Sequence, residues 1–225
     1  IVQFHQSYSY EDFIQGYRPN EDSFKLTEGV FYSFCEKAKS DPDNKYFFVI
    51  DEINRGNLSK IFGELMMLIE ADKRGPNNQI ALTYSKKEER FYVPKNVHII
   101  GTMNTADRSL SIVDYALRRR FSFINLVPNF NDKFKTFLIE KGISKKTVSS
   151  IISKISSLNE EIESDDSLGD GFKIGHSYFC NTPETSIDEK EWLSDIMNFE
   201  ISPILNEYWF DNKDKAESLI ENLNS

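Results

Sequence analysis

Asp51 and Glu52 stand side by side directly after the apolar run Tyr46-Phe47-Phe48-Val49-Ile50. Adjacent carboxylates of this kind suit phosphoryl transfer to water. One can hold Mg²⁺, directly or through a bound water, and the other can orient and deprotonate the attacking water. The same chemistry needs a polar group to steady that water and a positive charge for the leaving phosphate. Asn104, whose amide both donates and accepts, and one of Arg118, Arg119 or Arg120 are of the right types. Taken alone, the arginines equally suit a cationic helix end meeting its dipole. The two acids equally suit a buried strand that ends in solvent.

Specific elements must position these groups. Bulky aromatic and β-branched residues in an unbroken run read as a strand buried on both faces, as in a parallel sheet covered by helices. Open α/β sheets place ligands at the C-terminal ends of their strands, which is where Asp51 and Glu52 fall. A second buried strand is expected over residues 96–101, through Val97-His98-Ile99-Ile100, and it runs into the polar stretch that holds Asn104. Residues 121–126 alternate and read as a third strand, closed by Pro128. Helices are expected over residues 24–39, 59–72 and 111–120, on apolar positions recurring every three or four residues. Ser9 and Asp12 have the spacing that opens a short helix. Residues 16–20 read as a loop, and residues 79–84 and 90–93 as a hairpin with a charged tip. From Asn131 helical periodicity takes over, with helices over residues 148–162, 189–208 and 214–224 and another around Phe134, Phe137 and Leu138. A boundary near Pro128–Asn131 therefore separates an α/β part, 1–128, from a smaller helical part, 129–225.

Composition narrows the function classes. The 225 residues are 39% hydrophobic and 13% aromatic, enough for a sizeable core. The formal charge of −9, without a basic arm or stripe, argues against this stretch gripping DNA or RNA directly. Cys35 and Cys180 lie far apart and the histidines His5, His98 and His176 are scattered, so no zinc site is expected. Isolated thiols fit a reducing cytoplasm. No apolar run is long enough to span a bilayer, and the N-terminal residues lack the pattern of a signal peptide.

Longer motifs sharpen this reading. They are Asp51-Glu52-Ile53-Asn54-Arg55-Gly56-Asn57, Gly101-Thr102-Met103-Asn104-Thr105-Ala106-Asp107-Arg108-Ser109 and Val113-Asp114-Tyr115-Ala116-Leu117-Arg118-Arg119-Arg120-Phe121. Together with the stretch from Gln3 to Phe13 and with Gly175-His176-Ser177-Tyr178-Phe179, they resemble the AAA+ motor of the McrB family, the GTPase subunits of methylcytosine-dependent restriction systems. The resemblance covers nearly the whole chain. It implies a parallel AAA+ sheet followed by a helical lid. It implies that Asp51 and Glu52 form Walker B at the metal site, that Asn104 is sensor 1, and that Asp51, Asn104 and His176 contact the nucleotide. It further implies that Arg118–Arg120 supplies an arginine finger to a neighbouring subunit, Arg119 first and Arg118 next. Asp107, Arg108 and Arg120 would then shape the subunit interface, and His176 falls where many AAA+ lids carry a nucleotide-contacting arginine.

The family also implies Mg²⁺, GTP as substrate with ATP as the alternative, a hexameric ring, an McrC-like endonuclease partner and DNA contact through a domain outside this chain. Asn104-Thr105-Ala106-Asp107 also resembles a guanine-reading element, but one Asn cannot easily read a base and order the attacking water. GTP preference therefore rests on the family. No Gly-x-x-x-x-Gly-Lys-Ser/Thr occurs among the 225 residues. In the family that loop lies upstream, so the expectation is a fragment that neither binds nucleotide tightly nor hydrolyses it alone. The competing expectations are an AAA+ ATPase of protein remodelling or another defence system, and a non-catalytic structural piece.

Overall fold

The computed structural model describes residues 1–86, 88–104, 106, 118–182 and 188–224. Asp107, Arg108 and most of the helix expected over residues 111–120 lie outside the described residues. The chain divides into two compact units, Ile1–Phe123 and Ile124–Ser225, a few residues N-terminal of the boundary read from the sequence.

The first unit is built on a parallel sheet of β1 (Val2–Gln3), β4 (Tyr46–Asp51) and β5 (Val97–Gly101), with β4 in the middle. Val2 pairs with Ile50, and Tyr46 to Ile50 pair with Val97 to Gly101 in register. Parallel pairing brings the C-terminal ends of β4 and β5 to one edge, so the acids and the polar stretch after Gly101 are neighbours. Packing on one face of β4 is aromatic. Phe48 and Ile50 are buried, and Phe13 stacks on Phe31 at 4.8 Å and meets Phe62 edge-on at 4.9 Å. Phe48 closes the group against Phe31 at 5.1 Å. Such ring pairs add about 1 kcal/mol each beyond the area they bury. Here they tie together α1 (Tyr10–Phe13), α2 (Val30–Lys39), α3 (Leu58–Phe62) and the sheet. The Ser9–Asp12 capping box is present at the start of α1.

Several elements differ from the sequence reading. The other face of β4 and β5 is only half covered, with Phe47 on β4 56% and Ile100 on β5 45% exposed. The apolar run therefore does not mean burial on both faces among the described residues. Residues 16–20 are not a loop. They belong to a hairpin of β2 (Gln15–Asn20) and β3 (Ser23–Glu28), so the helix begins at Val30 and not near Phe24. Both faces of this hairpin are mostly exposed, which removes the alternation that marks a half-buried strand. The helix expected over 59–72 stops at Phe62, because Gly63 takes a left-handed φ of 50°, and short 3₁₀ turns continue it. Its expected apolar face, Ile61, Phe62, Leu65, Leu68 and Ile69, is buried all the same.

Among the described residues the hairpin expected over 79–93 reduces to one antiparallel bridge, Ile80 with Phe91. Instead Glu64 pins the segment, accepting from Thr83 N at 2.7 Å and from the Tyr10 hydroxyl at 2.7 Å. Residues 121–126 form no strand, and Ile124 and Leu126 are 83% and 89% exposed.

The second unit is helical: α4 (Asp132–Glu140), α5 (Lys145–Ser164), α6 (Glu189–Asp195), α7 (Ser202–Tyr208) and α8 (Lys213–Asn224). The helix expected over 189–208 is interrupted by a π segment, Ile196–Ile201. Pro203 has no amide hydrogen to continue the regular ladder, and the Ser202 hydroxyl donates to Met197 O at 2.6 Å across the widened turn. Ile151, Ile155, Leu158 and Ile162 on α5 pack with Phe179, Ile201, Leu205 and Trp209.

Asp165, at the end of α5, anchors the far side of this core. It accepts from Trp209 Nε1 at 2.7 Å, Lys215 Nζ at 2.8 Å and Ser167 N at 3.0 Å. Lys215, followed by the Ser167 and Trp209 donors, holds its carboxyl well below the usual range. A depressed carboxylate stabilises the fold above its unfolded pKa, and that contribution is lost as pH falls through the folded value. Asp165→Ala is therefore expected to lower stability by about 1.5–3 kcal/mol at pH 7. Urea unfolding checks this, and the gap to wild type should close in acid, below the ordinary aspartate range.

Candidate functional site

The site is built where β4 and β5 end. Their last residues are laced together by backbone bonds: Thr102 N donates to Ile50 O at 2.9 Å, and Ile53 N donates to Thr102 O at 2.9 Å. Phe4 N donates to Asp51 O at 2.9 Å, which ties in the strand on the other side. Gly101 allows this close approach, since a Cβ there would stand 2.7 Å from Ile53 Cδ1.

Asp51 is half-buried at this edge, and its Oδ1 accepts from the Thr102 hydroxyl at 2.6 Å. Glu52 follows in a left-handed conformation, φ 52° and ψ 46°. For a side chain with a Cβ this costs about 1–2 kcal/mol, and it turns the chain sharply from the strand into the 3₁₀ turn Ile53–Arg55. Glu52 Oε2 is buried, and the Arg55 guanidinium Nε lies 3.2 Å from it. Asn54 is 9% exposed, and its Nδ2 reaches Asn104 O at 3.5 Å. Asn104 itself is exposed and bends into a local turn, its Oδ1 accepting from Ala106 N at 3.0 Å. That turn uses the carbonyl end of its amide and makes the NH₂ the end suited to a phosphate or water oxygen.

The structure thus brings Asp51, Glu52 and Asn104 to one edge. Arg118 and Arg119 are exposed on the same unit. Arg120 is different: its Nε pairs with Glu70 Oε1 at 2.8 Å, with a side chain only 10% exposed. It is held by this pair inside its own unit. His176 belongs to the second unit. Its Nδ1 accepts from Asn129 N at 3.1 Å, and its ring packs edge-on against Phe130 and Phe134. Surface concavities of about 330 and 1340 Å³ also lie in the second unit, around Trp192 and Lys154 respectively, lined by none of the expected site residues.

Thr102, Arg55 and Asn54 were not singled out for roles by the sequence. Each lies within the motifs, but only the register of β4 against β5 shows which acid or loop it meets. Among the described residues no group of three or more His, Cys, Asp or Glu side chains is placed to hold a metal by itself. A single aspartate with an anchored oxygen suits Mg²⁺, which keeps waters and takes much of its shell from substrate phosphates. Burial pushes both Cys35 and Cys180 up, away from the thiolate. No helix among the described residues is long and apolar enough to cross a membrane.

Known proteins match both units of this fold. A family model described as the AAA domain of the dynein-related subfamily matches residues 1–121, and one described as the McrB alpha-helical lid domain matches residues 150–217. The Type IV methyl-directed restriction enzyme EcoKMcrB subunit of Escherichia coli (strain K12) is 56% identical over 221 residues, covering 96% of this chain and 48% of that protein. The Type II restriction enzyme BsuMI component YdiS of Bacillus subtilis (strain 168) is 28% identical over 128 residues, 52% of this chain and 37% of that protein. The chain spans about half the length of the first of these relatives and less of the second. With a parallel sheet ending in Asp51 and Glu52, an AAA-domain match over the first 121 residues and a McrB lid match within the helical unit, the chain belongs to the AAA+ family as a McrB-like motor segment.

Proposed function

We propose that this chain is part of a nucleotide-hydrolysing motor in a modification-dependent restriction endonuclease, where GTP hydrolysis drives DNA translocation and cleavage by an McrC-like nuclease subunit. One observation carries the hydrolytic reading: Asp51 ends the central parallel strand, Glu52 follows it, and Ile50, Asp51 and Ile53 around them are bonded to Thr102 at the strand end that leads to Asn104. The restriction context rests on the similarity to the E. coli restriction enzyme subunit.

In this reading residues 1–128 form the motor core and residues 129–225 the lid. Asp51 would hold Mg²⁺, which when bound would supply positive charge to the phosphates. Glu52 takes the proton of the water that attacks the γ-phosphorus as the bond to the leaving oxygen breaks. Asn104 NH₂ steadies that water or a γ-phosphate oxygen, and Arg119, with Arg118 beside it, reaches the nucleotide of the next subunit in a hexameric ring. Asp107 and Arg108 shape that subunit interface. The lid His176 is assigned a nucleotide contact through its Nε2 side, its Nδ1 being engaged within the lid.

The phosphate cradle would come from a Gly-x-x-x-x-Gly-Lys-Ser/Thr loop, which these 225 residues do not contain. Among the described residues one face of β4 and β5 is half-exposed, which leaves room for a further segment to pack there. The 225-residue chain alone is accordingly expected to bind nucleotide weakly. DNA is read by a domain outside this acidic chain, and the motor works in the cytoplasm. Turnover of GTP and ATP by the full-length protein, with and without DNA and the nuclease partner, tests the proposal. GTP preference with stimulation by the partner is the expected result, and a clear ATP preference points instead to a remodelling ATPase or another defence system.

A further inference from the structure

We propose that Thr102 is a positioning residue for Asp51, its hydroxyl fixing Oδ1 so that Oδ2 is the oxygen turned to a divalent cation. This rests on the reading of Asp51 as the metal-holding carboxylate.

The geometry has three parts. The Thr102 Oγ1 to Asp51 Oδ1 distance is 2.6 Å, a short bond from a neutral donor to a carboxylate. The donor is itself held on both sides, because Thr102 N bonds Ile50 O and Thr102 O accepts from Ile53 N, each at 2.9 Å. The hydroxyl is therefore presented by rigid backbone from both strand ends. Gly101, just before it, packs closely on Ile53, a Cβ there standing 2.7 Å from Ile53 Cδ1.

A carboxylate with one oxygen engaged in this way is biased toward binding metal through its other oxygen alone. One-oxygen ligation suits the compact octahedral shell of Mg²⁺. Two-oxygen ligation, which Ca²⁺ accepts readily, would compete with the Thr102 bond. Hydrogen bonds that orient a ligand commonly change metal affinity by about 10–100-fold when removed. One threonine acting on one of several ligands belongs at the lower end.

The test uses full-length protein with a non-hydrolysable GTP analogue and follows Mn²⁺ binding by electron paramagnetic resonance, independently of turnover. Thr102→Val, which keeps the shape and loses the hydroxyl, is expected to weaken Mn²⁺ binding about tenfold. Nucleotide affinity measured without metal should not move. Thr102→Ser, which keeps the donor, should restore binding to near the wild-type value. Should Thr102→Val not fold, Thr102→Ala carries the same expectation. Asp51→Asn separates the two layers. If Asp51→Asn binds Mn²⁺ as wild type does, the reading of Asp51 fails. If Asp51→Asn loses Mn²⁺ while Thr102→Val retains it, the role of Thr102 is overturned. A Thr102→Ser protein as weak as Thr102→Val also overturns it, because packing and not the hydroxyl would then be responsible.

Discussion

Replacing Glu52 by Gln in the full-length protein is expected to slow nucleotide hydrolysis about a hundredfold to ten-thousandfold, the range lost when a general base is removed. Nucleotide affinity should stay close to wild type. The amide is nearly the size of the carboxylate, and its oxygen can still face the Arg55 guanidinium 3.2 Å away. It cannot accept the proton of an attacking water at neutral pH. The left-handed backbone at Glu52 adds a second expectation. Glutamine tolerates this conformation no better than glutamate does, so the two proteins should unfold at nearly the same denaturant concentration. Loss of turnover with unchanged unfolding then isolates the chemistry of the carboxyl group. Single-turnover hydrolysis and equilibrium binding of a fluorescent nucleotide measure the two quantities. Turnover equal to wild type would remove Glu52 from the mechanism.

The parts of this protein legible from sequence are those where local pattern and tertiary contact agree. Tyr46–Asp51 reads as a sheet strand because its apolar run is continuous, and the parallel sheet follows. The Ser9–Asp12 cap is legible because its spacing and side-chain chemistry are local. The hairpin from Gln15 to Glu28 is not, because its side chains face solvent on both sides and Pro19 lies inside one strand. Residues 121–126 mislead in the opposite way. Their alternation implies a strand, but alternation records which residues are apolar, not whether a pairing partner is present. Thr102 shows the limit at the site itself. A threonine after a strand is commonplace, and only the pairing of Ile50 with Gly101 sets it against Asp51.

Arg119→Ala is expected to reduce hydrolysis about a thousandfold or more, as removal of an arginine finger does, and the loss should be repairable from a neighbouring subunit. Arg118 and Arg119 are both exposed on the first unit, whereas Arg120 is held by Glu70 at 2.8 Å. Arg120→Ala should therefore act mainly on stability, by stranding the partly buried Glu70 carboxylate. A finger that works across an interface has a signature that an internal role lacks. Subunits carrying Arg119→Ala retain Glu52, and subunits carrying Glu52→Gln retain Arg119. In the proposed ring, either variant alone is expected to be inactive at every interface. In mixed rings, some interfaces place an intact Glu52 opposite an intact Arg119, and those sites should hydrolyse nucleotide. Activity should rise from both pure variants to a maximum near equal mixing. A flat, inactive mixing curve, with subunit exchange verified independently, would show that Arg119 serves its own subunit. Recovery with Arg118→Ala in place of Arg119→Ala would move the finger by one residue and leave the cross-subunit mechanism standing.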